Sequence, residues 1–229
     1  MASQNGAVRI LNTMPVRHGM QRWGQSNFDL IAPILHPGLH VEVLQFPEAD
    51  LDEIVTEADC KHLTPGHTGW CVRMAPEFDA IVVGCLLEPG LDQLAPICPV
   101  PAIGQIEASL HLAASLGRRV AFVQADPAVN ERVRRKVHEY GFGDRLAGFF
   151  AVGARPLDYV APDKRALIDR MCHTAEEAVA AGADVIVGYG GPDIFAAMRK
   201  RLPVPVISPL QAGIQFAELR VRAGRVAGH

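Results

Sequence analysis

The stretch Phe78-Asp79-Ala80-Ile81-Val82-Val83-Gly84-Cys85-Leu86-Leu87-Glu88-Pro89-Gly90 decides how the rest of the chain is read. An apolar run that stops at Gly-Cys, with Pro and Gly close behind, predicts a buried strand over Ala80 to Gly84 that delivers a thiol to a turn. Doubly wound sheets place their chemistry at such strand ends. The stretch also has an echo. With Asp79 laid on Asp184, Asp79-Ala80-Ile81-Val82 matches Asp184-Val185-Ile186-Val187, and Pro99-Val100-Pro101-Ala102-Ile103 matches Pro203-Val204-Pro205-Val206-Ile207. Glu107 and Ala108 then fall on Gln211 and Ala212, and Cys85 falls on Gly190. Two parts of the chain are therefore built on one plan, with a thiol in one where the other has no side chain.

Working outward, strands alternate with helices. Val8 to Leu11 reads as the first strand, followed by Asn12 and the polar pair Arg17-His18. A helical pattern from Ser26 to Leu35, with Ser26 as N-cap, leads to the alternating strand His40 to Phe46, and Glu48 to Asp59 is acidic and helix-compatible. Pro65, Gly66 and Gly69 predict a loop over Cys60 to Cys71, folding over a site with His67 or Trp70 against the ligand. Beyond Cys85 come a short helix over Gly90 to Ala95, the strand Val100 to Ile103 and a helix from Gln105 to Leu116 that Gly117 caps. The alternation then repeats: strand Arg119 to Gln124, helix Pro127 to Tyr140, strand Ala147 to Ala151, helix Pro162 to Ala181 and strand Val185 to Val187. A helix after Pro192, the strand Val204 to Ile207 and the helix Ser208 to Arg220 complete it. The expected fold is α/β, with two pseudo-symmetric Rossmann-like lobes, each a parallel sheet flanked by helices, and the active site in the cleft between them. The expected division is 1–117 and 118–229, the C-terminal helix being free to pack on the other lobe.

Composition bounds the partners. A hydrophobic content of 49% supplies a buried core, and a formal net charge of −3 offers nothing to a polyanion. The basic cluster Arg132, Arg134, Arg135, Lys136 is diluted by Glu131 and Glu139 and reads as a solvated helix face, so no nucleic acid is expected. No apolar run approaches the roughly 20 residues that span a bilayer. An odd set of five cysteines without a secretory leader points to a reduced, cytoplasmic protein with no membrane partner. The Cys60, His62, His67, Cys71 spacing offers zinc donors but matches no standard finger, and no metal is expected there.

Cys85 is the candidate nucleophile or base, because thiolate is the reactive form and the amides of Leu86 and Leu87 at the turn would favour it. Cys98, wedged between Ile97 and Pro99, and Cys172 in a helical stretch read as small buried hydrophobes. Arg17 and His18 lie where a substrate carboxylate would meet them. Glu88 is a second acid/base candidate beside the thiol, although a surface turn glutamate is the default reading.

The run Gly84-Cys85-Leu86-Leu87-Glu88-Pro89-Gly90-Leu91-Asp92, then Val100 to Ala113 including Ile103-Gly104-Gln105-Ile106-Glu107-Ala108, then Leu116 to Val123, resembles the hydantoin racemases of the aspartate/glutamate racemase superfamily. That resemblance implies proton transfer without a cofactor, by two cysteines on opposite sides of a small-molecule substrate, in what is expected to be a homo-oligomer. It implies substrate contacts at Asn12, Leu86, Gln124, Tyr189, Gly190 and Gly191. The departure is in Val187-Gly188-Tyr189-Gly190-Gly191-Pro192, where glycine takes the second cysteine's place. Tyr189 is a poor substitute, with an unperturbed pKa near 10. The second lobe also has Gln124-Ala125-Asp126 where relatives have a threonine pair.

One thiol leaves two chemistries level. One-sided proton transfer on a hydantoin-like small carbonyl acid would make an isomerase or lyase, resembling arylmalonate decarboxylases with their one catalytic cysteine; other relatives, such as maleate isomerases, attack covalently. Attack on a ring carbon bearing a leaving group would make a hydrolase, for instance a thiohydantoin desulfhydrase, with His18, His67 or Glu88 activating water. A two-base racemase and a metabolite-binding protein without chemistry are the further alternatives.

Overall fold

The computed structural model describes residues 6–124 and 127–228. In chain order the elements are β1 (Val8–Met14), α1 (Gly19–Ile31), β2 (Leu39–Gln45), α2 (Glu57–Met74), β3 (Ala80–Val82), α3 (Leu91–Leu94), β4 (Ala102–Ile103) and α4 (Gln105–Leu116). They continue with β5 (Val120–Gln124), α5 (Pro127–Glu139), β6 (Leu146–Ala151), α6 (Arg165–Ala180), β7 (Val185–Val187), α7 (Pro192–Arg201), β8 (Val206–Ile207) and α8 (Pro209–Ala227). The strands form two four-stranded sheets, ordered β2-β1-β3-β4 and β6-β5-β7-β8. Every pairing is parallel. The internal repeat is thus one topology used twice, flanked by helices as the alternation predicts.

By contacts, one compact unit takes in the described residues up to Gln105 together with Leu210–Gly228, and the other is Ile106–Pro209. The chain crosses from the first unit to the second inside α4, not at Gly117, and α8 belongs to the first. Gln211 in α8 donates to the Leu30 carbonyl at 2.7 Å, and Arg225 bonds Asp79 at 2.9 Å.

In the first unit, β1 and β3 are buried almost throughout, as an inner pair of parallel strands must be. Asp79 caps the sheet by accepting the Arg9 N–H at 2.8 Å. In the second, Asp184 does the same for Arg118 at 3.0 Å and Arg119 at 2.8 Å. The backbone amides at Arg118 and Arg119 hold its carboxyl below the usual carboxylate range.

Four expectations need correction. Helix α1 begins at Gly19, so Ser26 lies inside it; His18, at φ 56°, turns the chain into the helix instead. The acidic segment is irregular up to Thr56. The span Cys60 to Cys71 is helix, not loop. Thr56 starts it with a capping box, accepting the Asp59 N–H at 3.1 Å while the Asp59 carboxylate accepts the Thr56 N–H at 2.8 Å. Cys60, Leu63, His67, Trp70 and Cys71 line one buried face, and that burial holds the helix together across Pro65. In α5 the basic residues are not uniformly solvated: Lys136 is buried and reaches Glu139 at 3.0 Å, and Arg132 is buried beside it, while Arg134 and Arg135 stay exposed. Among the described residues no helix is long and apolar enough to cross a membrane.

Candidate active site

The candidate site is built around the end of β3. Val82 pairs with Asn12 of β1 on one side and Ile103 of β4 on the other. Past Val83 the chain turns sharply. The Cys85 N–H donates to the Val83 carbonyl at 2.8 Å, and the Cys85 carbonyl accepts from Glu88 at 2.9 Å. Gly84 is required there: a Cβ on it would overlap the Thr13 carbonyl oxygen. Its N–H donates to the Thr13 hydroxyl at 3.1 Å.

Cys85 is half-buried, and so is Cys98, which was expected to be buried, whereas Cys60, Cys71 and Cys172 are buried. Burial pushes the Cys71 thiol up to about 12 and raises those of Cys98 and Cys172, which keeps all three protonated at neutral pH. Asn12 lies next to this turn, its Oδ1 3.1 Å from where a Cβ on Gly84 would stand. The Asn12 side chain is buried, and neither its Oδ1 nor its Nδ2 finds a hydrogen-bond partner. An amide with both functions unused is costly in a protein interior and marks a place where a polar group is expected to arrive.

Glu88 is buried, not a surface turn residue, and its backbone is left-handed at φ 50°. Its carboxylate packs against Gly104, ahead of α4, where a Cβ would collide with it. Leu86 and Leu87 are buried in the same turn. His67 is fully buried. Its Nδ1 is 3.3 Å from the Pro89 carbonyl and its Nε2 3.1 Å from the Thr13 hydroxyl. Desolvation lowers its pKa to about 4, so the ring is neutral at physiological pH.

The remaining candidates of this unit lie on its surface. The Arg17 guanidinium grips Asp52 at 2.6 Å and 3.2 Å, and Arg22 adds a bond to the same carboxylate at 2.8 Å. Those cations hold the Asp52 carboxyl at about 2. His18 is exposed at the head of α1. His62 points away from His67 and pairs with Asp50 at 2.7 Å. Among the described residues no group of three or more His, Cys, Asp and Glu side chains is gathered as a metal would require.

In the second unit, Gln124 ends β5, buried, with its Nε2 on Asn130 at 3.2 Å and its Oε1 unmatched. Ala125 and Asp126 lie outside the described residues. Tyr189 stacks edge-on against Tyr159 at 4.8 Å. Gly190 has φ 128°, and a Cβ there would stand 2.5 Å from Ile194 Cδ1 and 3.1 Å from Tyr159 Cδ1. Gly191 caps α7.

The profile of the Asp/Glu/Hydantoin racemase family matches residues 38–217, a span that holds both the Cys85 turn and the Gly188–Pro192 turn. The chain belongs to that family. It is 30% identical to a hydantoin racemase of Paenarthrobacter aurescens over 149 residues, 64% of this chain and 63% of that one. It is also 30% identical to a hydantoin racemase of Pseudomonas sp. (strain NS671) over 150 residues, 64% of this chain and 60% of that one. Each match spans less than two thirds of the relative's length. An allantoin racemase from Klebsiella pneumoniae shares the fold with a TM-score of 0.86 at 22% identity, over 95% of this chain and 89% of that one.

The residues missed in the sequence are Thr13 and the packing role of Gly104. A hydroxyl one position after Asn12 is the only signal for the first, and Gly104 lies inside the Ile103-Gly104-Gln105 run that carries the family resemblance.

Proposed function

We propose that this member of the racemase family is a cofactor-independent isomerase or lyase that moves a proton at the carbon next to a carbonyl, in a hydantoin-like small carbonyl acid, with Cys85 as its one catalytic thiol. The observation that carries the reading is the contrast among cysteines. Cys85 alone combines partial exposure with a strand-end turn held by backbone and side-chain bonds. In its reaction the Cys85 thiol gives its proton to the carbon of an enolate, the enolate electrons forming the new C–H bond, and the thiolate is reprotonated from water. A single thiol working on one face does not by itself invert a stereocentre. Net change arises when the enolate is formed by loss of carbon dioxide or when the proton returns to a different atom. Asn12, with its unused donor and acceptor, supports this reading as a partner for an amide or carboxylate of the substrate.

Turnover of hydantoins and malonates in heavy water tests it. Deuterium is expected at the product carbon, in one enantiomer, and Cys85→Ser is expected to lower kcat by about a thousandfold while substrate affinity stays within a few fold. Racemic product would overturn one-sided transfer. Release of sulfide from a thiohydantoin without deuterium uptake would overturn proton transfer itself.

A further inference from the structure

We propose that His67 is a positioning residue, whose imidazole clamps both ends of the turn that carries Cys85. The inference rests on the reading of Cys85 as the catalytic thiol. The hydrogen bonds assign each ring nitrogen one role. A carbonyl oxygen can only accept, so Nδ1, 3.3 Å from the Pro89 oxygen, carries the ring proton. Nε2 is then a lone pair, and the Thr13 hydroxyl 3.1 Å away donates to it. The same hydroxyl oxygen accepts the Gly84 N–H at 3.1 Å. The relay runs from Gly84 through Thr13 and His67 to Pro89, and Cys85 is held between its ends. Cys71 Sγ, 3.6 Å from Nε2, is a weaker second donor to the same lone pair.

Other groups fix the ring in place. Phe46 meets it edge-on at 5.7 Å, and Trp70 lies 6.1 Å away. With both nitrogens occupied and the side chain buried, His67 has no face for substrate or water. Its effect passes through the backbone of the turn to the Cys85 sulfur. The polar histidine also answers a local need, because a hydrocarbon at 67 would leave the Pro89 carbonyl and the Thr13 hydroxyl without these partners.

The test compares Thr13→Val, Thr13→Ser, His67→Leu and the double variant Thr13→Val/His67→Leu. Alkylation of Cys85 by iodoacetamide is followed peptide by peptide between about pH 6 and 10, beside kcat, KM and thermal melting. Each of Thr13→Val and His67→Leu is expected to change the Cys85 alkylation rate by about threefold or more, and to lower kcat by about tenfold to a hundredfold with KM nearly unchanged. Thr13→Ser, which keeps the hydroxyl, is expected to restore both. Because the two residues form one relay, the double variant should be no worse than its poorer parent. A lower melting temperature with unchanged alkylation and kcat would overturn the proposal, leaving His67 a packing residue. Should His67→Leu fail to fold, the Thr13→Val and Thr13→Ser pair decides alone. Full turnover in Cys85→Ser would instead defeat the assignment of the thiol, while Cys85 alkylation in the Thr13 and His67 variants, set against wild type, still judges the clamp.

Discussion

The turns after β3 and β7 begin from equivalent strands and end differently. After β3 the chain takes eight residues, Val83 to Gly90, to reach α3. That length brings a half-buried thiol, a buried carboxylate at positive φ and two polar ends that His67 and Thr13 tie together. After β7 it takes four, Gly188 to Gly191, and fills the space with Tyr189, Tyr159 and Ile194. The repeated scaffold supplies a strand end, and the unequal turns decide what stands on it. Gly190 is also not spare room: its own unit occupies the place where a side chain would begin.

The sharpest way to break the contrast is Gly84→Ala. Its Cβ would overlap a backbone oxygen in a paired strand, which cannot rotate aside, so a loss of at least about 3 kcal/mol is expected in denaturant unfolding. Next is acid. His67 binds its proton near 6.5 when unfolded and near 4 when folded, so between those values the unfolded chain holds more protons and stability falls as pH drops. The loss reaches about 3 kcal/mol at pH 4, because the group is buried. The groups facing it are Thr13, the Pro89 carbonyl, Phe46, Trp70 and Cys71, and only the thiol titrates, at about 12. His67→Gln should flatten this dependence in unfolding curves taken between pH 7 and 4. In the second turn Tyr159 is pushed upward by burial and is silent over that range.

Gly190→Cys, at the position the repeat aligns with Cys85, is expected to cost about 2 kcal/mol from its φ of 128° and the contact with Ile194. An equally stable variant would undo the contrast between the turns. The smallest effect is at the helix starts. Thr56→Ala removes a capping box from α2 and should cost about 1 kcal/mol, while Lys164→Ala, which removes a partly exposed ion pair to Asp193 at the uncapped start of α6, should cost less than half of that. Melting of both variants checks the order.

Much of this was legible locally. Helix α4 and strand β7 fall where the periodicity places them, from Gln105 to Leu116 and from Val185 to Val187. The duplicated Asp-x-Ile-Val and Pro-Val-Pro-x-Ile segments announced two sheets of one topology. The thiol stood out by its place after a buried run. Helix α2 was hidden because Pro65, Gly66 and Gly69 are local breakers, and what overrules them is burial of a face the sequence spreads over Cys60, Leu63, His67 and Cys71. Glu88 looked like a surface residue because the glycine it packs on is sixteen positions away.

The sequence by itself therefore determined the order of strands and helices, the doubling of the plan and the thiol at one strand end, since each depends on neighbours a few positions apart. Only the tertiary structure decided that His67 is neutral and locked, that Asn12 is buried with its amide unused and that Arg17 is held by Asp52. A side chain's protonation and hydrogen bonds depend on what surrounds it in space, and those partners lie tens of residues off in the chain, Thr13 from His67 and Asp52 from Arg17.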